Sequence, residues 1–357
     1  MTSSNEKFMG WVAHDKTAVE GNMKWEEFTP KEWTENDIEG DVICCGICFS
    51  DIHTLRSGWG STDYPTIVGH EIVIKVSRVG KNIKHIQPGQ RVGVGAQSDS
   101  CRDCKQCQAG RESYCDNLQG TYQGKFLDGK GKSYGGYANK WRGPGHFAVP
   151  IPEGLESHVA GPLMCGGITI ASPLMDYGCG QENCKKVGII GIGGIGSFGI
   201  AFAKALGAEQ IVAISTTSNK ESLAKELGAT DFVAMKDKPD DHKRFRRSLD
   251  LIIATANNHE QPYDKYAWML RPRGHLINIA VPEQAVMPIP IGALIFSGAS
   301  IGGSAIGGIP QIAKMLQLAA DKKPNFMIEK RSMKDANQAV KDMVDGKPRF
   351  RYSLINE

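Results

Sequence analysis

Residues 185–207 read KKVGIIGIGGIGSFGIAFAKALG. A short apolar strand, KKVGIIG, runs into a glycine turn, and helical periodicity follows from Gly193 to Gly207. Gly191, Gly193 and Gly196 form a G-x-G-x-x-G, with Gly194 and Ile195 between them. The pattern is weak alone, but here it follows a strand and opens a helix, the setting its mechanism requires. The first glycine permits a tight turn, the second lets the backbone approach a pyrophosphate, and the third packs helix on strand. The helix N-terminus then offers unpaired N–H groups and a positive dipole end to phosphates. A glycine turn without a ligand is the competing reading, and the units on either side argue against it.

Downstream, 210–215, 231–235, 249–255 and 274–280 read as strands, and 219–229 and 263–271 as helices. Strands and helices alternating at this spacing predict an α/β region with a doubly wound parallel sheet. The second strand ends at Ser215, near the place where an acid would hold the ribose 2′-hydroxyl of NAD. Ser215, Thr216, Thr217, Ser218, Asn219 and Lys220 stand there instead. None of them is a carboxylate that would repel a 2′-phosphate, and hydroxyls and a lysine can bind one. NADP(H) is therefore expected over NAD(H). A helix N-cap cluster is the plainer use of the same residues.

Before residue 150 the chain is mainly β with short irregular connections. VAHDKTAV (12–19) and MKWEEFTP (23–30) read as short strands, DVICCGIC (41–48) as a buried one, and HEIVIKVSRVG (70–80) as half-buried. Asp51 to Arg56 forms a helical turn. GPLMCGGITIASPLMDYG (161–178) reads as one buried helix, ASIGGSA (299–305) as a strand, and 309–323 and 332–345 as helices before a last strand. The charged piece 236–247 reads as a solvated loop or helix face.

The length of 357 residues predicts two domains. Hydrophobic residues make up 41%, charged residues 23%, and mean hydropathy is −0.30, an ordinary globular balance. A formal charge of +3 gives no reason to expect nucleic acid or a membrane as partner. The N-terminal residues lack an apolar signal core, and no apolar run approaches a membrane span in length. The ten cysteines are thus placed in a reducing, cytoplasmic setting, where clustered cysteines bind metal rather than pair.

Cys101, Cys104, Cys107 and Cys115 fall within fifteen residues of a polar loop. Four thiolates can form a closed tetrahedral zinc cage, which makes the site structural. An iron–sulfur cluster uses the same ligand type. A nucleic-acid-binding zinc module is disfavoured, because the loop has no basic, aromatic-rich surface. Cys48 and His70 form a second candidate pair, and Cys165 is the best third ligand. Two thiolates and an imidazole leave one position open to water or substrate, which marks a catalytic zinc beside the nucleotide. Each of the three could equally be a buried core residue. Cys44, Cys45, Cys179 and Cys184 read as core or surface cysteines.

GICFSDIH (46–53), GHE (69–71), the four-cysteine loop, SYGGYA (133–138), PLMCGGIT (162–169), GIGGIG and the closing GKPRFRY (346–352) run through nearly the whole chain. Together they resemble the zinc-dependent medium-chain alcohol dehydrogenases, in the cinnamyl alcohol dehydrogenase branch with its fungal NADP-dependent relatives. The resemblance implies a GroES-like β-rich catalytic domain (1–160 and 306–357) and a Rossmann NADP-binding domain (161–305). It implies two zinc ions per chain. Cys48, His70 and Cys165 would hold the catalytic one, with Glu71 as support or alternate ligand. It also implies a homodimer joined along strand 299–304. Ile74 departs from the glycine often found after GHEIV, with an expected effect on packing only.

The reaction expected is hydride transfer between NADP(H) and an aldehyde or primary alcohol, aromatic or medium-chain. Zinc would polarise the carbonyl oxygen in place of an oxyanion hole. Ser50 would supply the proton, through the cofactor ribose, with His53 as shuttle to solvent. Asp51 would fix His70 or a loop. Trp59 and Leu55 are candidates for an apolar substrate pocket. Relatives that reduce an activated C=C or C=N bond need no alkoxide relay, so Ser50 and His53 favour the carbonyl couple over that alternative. A zinc-free quinone or enone reductase and a non-enzymatic zinc-binding or regulatory protein that binds NADPH without turnover are the remaining rivals.

Overall fold

The computed structural model describes residues 7–256, 261–283, 287, 289 and 291–357. The chain forms two compact units. The first comprises residues up to Cys165, Gly307–Ala320 and Ile328–Glu357. The second comprises Gly166–Ile306 and Asp321–Met327. Relative to the expected boundaries, 161–165 lie with the first unit, and 306 and 321–327 with the second. The placement of 321–327 follows from the Phe326 ring, which packs 5.2 Å from Phe198 and 5.1 Å from Phe202.

The first unit is built on strands β1 (Asp37–Gly46), β2 (Ile72–Val79), β3 (Arg91–Val94), β4 (Lys140–Pro144) and β5 (Ala148–Pro150), with helix α1 (Phe49–Leu55) between β1 and β2. Ile38, Val42, Ile72, Ile74, Val92 and Val94 alternate onto one buried face. Ile74 occupies core volume there, as the packing role expected of it requires. The segment 12–19 is not a strand. Val12 ends one (Met9–Val12), and Lys16–Glu20 forms a 3₁₀ turn because Asp15 accepts from Thr17 N–H at 2.8 Å.

The helix expected over 161–178 is interrupted. Helix α2 (Ser157–Pro162) and helix α3 (Ile168–Asp176) flank a π turn over Leu163–Gly167. By length and composition the whole run Ser157–Asp176 could cross a bilayer, contrary to the sequence reading, but 83% of its apolar window is buried inside the protein.

The second unit holds β6 (Lys186–Ile190), β7 (Gln210–Ser215), β8 (Asp231–Ala234), β9 (Leu249–Ala254), β10 (Leu270–Asn278) and β11 (Ser300–Gly303). They lie in the order β8-β7-β6-β9-β10-β11, all parallel. This is the doubly wound arrangement, with its switch point between β6 and β9, where ligands bind at the strand C-termini. Helix α4 (Gly194–Leu206) follows β6, and helix α5 (Ile291–Ser297) precedes β11. The helix expected over 263–271 stops at Met269, and the chain passes directly into β10.

The chain then returns through α6 (Ile309–Lys322), β12 (Ile328–Ser332), α7 (Ala336–Val344) and β13 (Arg351–Ile355). Strand β13 pairs antiparallel with β1, opposing Ser353 to Gly46. The sheet of the first unit thus runs β12-β13-β1-β2-β3-β5, with β4 also on β1. This return places Arg351 beside Glu71, 280 positions earlier.

Candidate active site

Cys48 N-caps α1. Its N–H donates to Asp51 Oδ2 at 2.9 Å, so one carboxylate caps the helix and anchors the thiol's backbone. The other oxygen, Oδ1, accepts from Gly69 N–H at 3.1 Å and stands 3.0 Å from His70 Nδ1. Gly69 has φ +101°, and a Cβ there would meet the Tyr137 ring, so only glycine brings His70 in on this path. Tyr122 Oη lies 2.8 Å from His70 Nδ1. With Nδ1 donating to the carboxylate, Nε2 is left with its lone pair, and it points at Cys165 Sγ, 3.1 Å away.

Cys165 sits at the centre of the π turn. Such turns widen a helix locally and recur at functional positions. Gly93 on β3 and Gly95 just beyond it admit the turn, since a Cβ at either would strike Met164. Glu71 is fully buried, and its carboxylate is paired with Arg351 of β13. One ligand atom each from Cys48, His70, Glu71 and Cys165 lies within 4.8 Å of the others, and all four residues are buried. Sulfur, imidazole nitrogen and carboxylate oxygen are the donors that zinc takes, so this set fits a zinc ion.

The electrostatics fit a cation as well. A hydrogen bond from Cys165, with help from His70, pulls the Cys48 thiol well below its ordinary range, while the same bond and burial push Cys165 up. Burial works against a charged His70, but Asp51 and Cys48 outweigh it and hold the imidazole well above its usual value. Burial lifts Glu71 to about 7 despite Arg351. The two sulfurs and the imidazole share protons that a divalent ion would displace.

Ser50 and His53 lie three residues apart on α1, which puts them on one face. Ser50 Oγ is 3.5 Å from Cys48 Sγ. His53 is turned toward Arg56, whose Nη2 is 3.2 Å from His53 Nδ1, and its ring is stacked on Trp59 at 4.4 Å. Leu55, expected to line a pocket, is fully buried in the core of the first unit, because it takes the inward face of α1.

The loop cysteines also converge. Cys101, Cys104, Cys107 and Cys115 have their sulfurs within 4.8 Å of one another. Cys115 to Cys101 is 3.5 Å and Cys101 to Cys107 is 3.9 Å. Tetrahedral zinc at about 2.3 Å from each sulfur spaces them about 3.8 Å apart, whereas a disulfide would need about 2 Å. The set fits one ion. A multi-iron cluster, whose cysteines bind different irons, needs a wider cage.

In the second unit Gly191 has φ +85°, and a Cβ there would crowd Thr255 and Ala256 across the switch point. A Cβ on Gly196 would run into the Gly191 carbonyl, whereas one on Gly193 would meet nothing within 4 Å. The first and third glycines are thus needed for folding, and the second faces open space that suits a pyrophosphate. Gly194 and Ile195 form the first turn of α4. Beyond β7, Ser215 and Thr216 carbonyls accept from Met235 and Lys236. Thr217 Oγ1 bonds Asn219 at 2.8 Å, and Lys220 Nζ reaches the Ile192 carbonyl at 2.9 Å, tying the two turns together.

Sequence reasoning missed four residues here. Residues 215–220 hold no acid, but Asp237 comes to them from the end of β8 and accepts from Ser218 N–H at 2.7 Å and Oγ at 2.8 Å. Parallel pairing of β7 with β8 was the only sequence signal for that neighbour. Arg351 was visible within GKPRFRY but had no assigned partner. Tyr122 stands in a stretch with no pattern to mark it, and Arg56, at the end of the expected helical turn, had no assigned role.

Residues 35–153 match the alcohol dehydrogenase GroES-like domain family, and residues 194–321 the zinc-binding dehydrogenase family. The chain is 38% identical over 354 residues to NADP-dependent alcohol dehydrogenase 6 of Saccharomyces cerevisiae, covering 98% of this chain and 97% of that one. Its fold is similar to that of a cinnamyl alcohol dehydrogenase from Sorghum bicolor, with a TM-score of 0.90 at 30% identity over 98% of both chains. It is also similar to CAD from Helicobacter pylori complexed with NADP(H), with a TM-score of 0.86 at 29% identity over 98% of both chains. The protein therefore belongs to the zinc-dependent medium-chain alcohol dehydrogenases, in the cinnamyl alcohol dehydrogenase branch.

Proposed function

We propose that this enzyme interconverts aldehydes and primary alcohols with NADP(H), and that Cys48, His70 and Cys165 hold its catalytic zinc. The carrying observation is the buried sulfur–imidazole cluster with the Ser50 hydroxyl 3.5 Å from Cys48 Sγ. When bound, zinc supplies a Lewis acid for the carbonyl oxygen and NADPH supplies the hydride. The chain's part is to hold and deliver protons. Asp51 and Tyr122 keep the His70 proton on Nδ1 and its Nε2 free to ligate. Ser50 donates a proton to the developing alkoxide, and His53 exchanges that proton with solvent. Glu71, held by Arg351, balances charge beside the ligands. Reduction of a C=C bond would leave Ser50 and His53 without a task.

Cys101, Cys104, Cys107 and Cys115 hold a second zinc with no open position, which fastens the loop. Gly191 to Gly196 cradle the pyrophosphate, and Ser215, Thr216, Thr217 and Lys220 take the 2′-phosphate. A homodimer is supported by β11, the edge of its sheet, and by α5, where Ile291, Ile295 and Phe296 are each at least 67% exposed. The free thiols of all ten cysteines suit a reducing cytoplasm.

The test is a panel of aromatic and medium-chain aldehydes with the zinc-loaded enzyme and either NADPH or NADH. NADPH oxidation matched by alcohol formation is expected. Turnover of enones or iminium ions without turnover of any aldehyde would overturn the reading.

A further inference from the structure

We propose that Arg56 and Trp59 are positioning residues that hold the His53 ring in one plane and one tautomer, with its proton on Nε2. The proposal rests on the reading of His53 as the solvent end of the proton path.

The tautomer follows from donor counting. Arg56 Nη2 lies 3.2 Å from His53 Nδ1. A guanidinium has only donors, so Nδ1 must accept and carries no proton. The one proton of a neutral imidazole is then on Nε2.

The ring plane follows from the turn after α1. Arg56 caps the helix, and its N–H donates to the Ile52 and Thr54 carbonyls. Ser57 takes φ +57°, and Gly58 N–H donates back to the His53 carbonyl at 2.7 Å. The chain folds over the imidazole and lays Trp59 on it, with centroids 4.4 Å apart and planes at 24°. Phe49, one turn earlier on α1, stands 6.2 Å away. His53 is 5% exposed, whereas Trp59 leaves 47% of its own surface to solvent. Trp59 is thus half-buried, and its ring face packs on the imidazole.

A histidine three residues along from Ser50 could otherwise rotate and exchange tautomers. Held in this way, it presents an N–H from Nε2 on the side of the ring away from Arg56. As the proton leaves Nε2, one from water enters at Nδ1, where the exposed Arg56 gives way. The ring is then the Nδ1–H form, and solvent restores it by protonating Nε2 and taking the Nδ1 proton, after which Nδ1 again accepts from Arg56. Over the cycle one proton passes from solvent to product, as aldehyde reduction requires.

The experiment uses the full zinc-loaded enzyme, NADPH and an aromatic aldehyde. Arg56→Ala is expected to lower kcat about threefold to tenfold, the size of one hydrogen bond's contribution, with KM unchanged. Arg56→Lys, also donor-only, should restore it. In a His53→Gln background Arg56→Ala should add nothing, since the two residues act as one unit. Long-range spectra of protein labelled with ¹⁵N-histidine should show His53 as the Nε2–H form in wild type and as mixed tautomers in Arg56→Ala. An unchanged tautomer, an unchanged kcat, or an equal loss in the His53→Gln background would each overturn the proposal. Full turnover in His53→Gln alone would instead refute the relay reading, and the spectra would then decide the tautomer on their own.

Discussion

Asp51 Oδ1 lies 3.0 Å from His70 Nδ1, while Oδ2 of the same carboxylate accepts from Cys48 N–H at 2.9 Å. One side chain therefore orients two of the three proposed zinc ligands. Asp51→Ala should lower affinity for the catalytic zinc about 10–100-fold, as loss of a carboxylate behind a ligating histidine does. Competition with a colorimetric chelator at neutral pH measures this. Wild-type zinc retention in the variant would show that His70 needs no such partner.

Ser50 stands beside Cys48 Sγ without being a zinc donor of choice. Ser50→Ala should cut aldehyde reduction by about 10²-fold or more, the range of a positioned proton donor. Zinc content and NADPH binding should stay at wild-type levels. Unchanged turnover would remove Ser50 from the proton path.

The loop sulfurs are clustered but partly exposed, and Cys101 and Cys104 reach solvent. Cys107→Ser should leave one zinc per chain in place of two and lower the thermal midpoint by several degrees, because a closed site contributes its binding energy to folding. Metal analysis and calorimetry on the same sample test both halves. Two zinc ions retained, or an unshifted midpoint, would count against a structural site.

What could be read from the sequence follows from range. The glycine turn and its alternating neighbours were legible because the code for a strand, a tight turn and a helix start is local. The four-cysteine loop was legible for the same reason. Cys165 could be named, but its π turn could not, since that depends on Gly93 and Gly95 yielding space to Met164 from another strand. The 12–19 stretch has only weak periodicity, and the Asp15 cap that turns it into a 3₁₀ segment depends on one side-chain bond to Thr17 N–H. Leu55 misled because which face of a single helical turn points inward is set by tertiary packing. Arg351 with Glu71, and Asp237 with Ser218, are pairings that strand register creates.

Asp237 places a carboxylate on Ser218 in the turn proposed to take the 2′-phosphate. Asp237→Asn preserves a hydrogen-bond acceptor and removes the charge. NADPH should then bind a few-fold tighter and NADH with unchanged affinity, the scale of one screened charge at the surface. Titration by cofactor fluorescence at low and physiological salt measures it, and the gain should shrink with salt. Equal changes for both cofactors would place the 2′-phosphate elsewhere.

Cys44 lies on β1, and its thiol donates to the Ser157 carbonyl at 3.1 Å. Burial pushes it up to about 12. An unfolded thiol ionises near 8.5. Below about 8.5 both states keep the proton, and the group's contribution to stability is constant. As pH rises from there toward about 12, only the unfolded chain releases the proton, so unfolding becomes easier by up to about 1.4 kcal/mol per pH unit from this residue. Cys44→Ala removes the group. The variant should be less stable than wild type at pH 7.5, where the lost packing dominates, and the gap should narrow by pH 10. Urea unfolding of both proteins at saturating zinc gives the two differences, with the other buried thiols cancelling between them. In the folded wild type at pH 8, Cys44 should also resist iodoacetamide, since only about one thiol in 10⁴ is then ionised. A constant gap together with ready alkylation would mean that the thiol is neither buried nor raised.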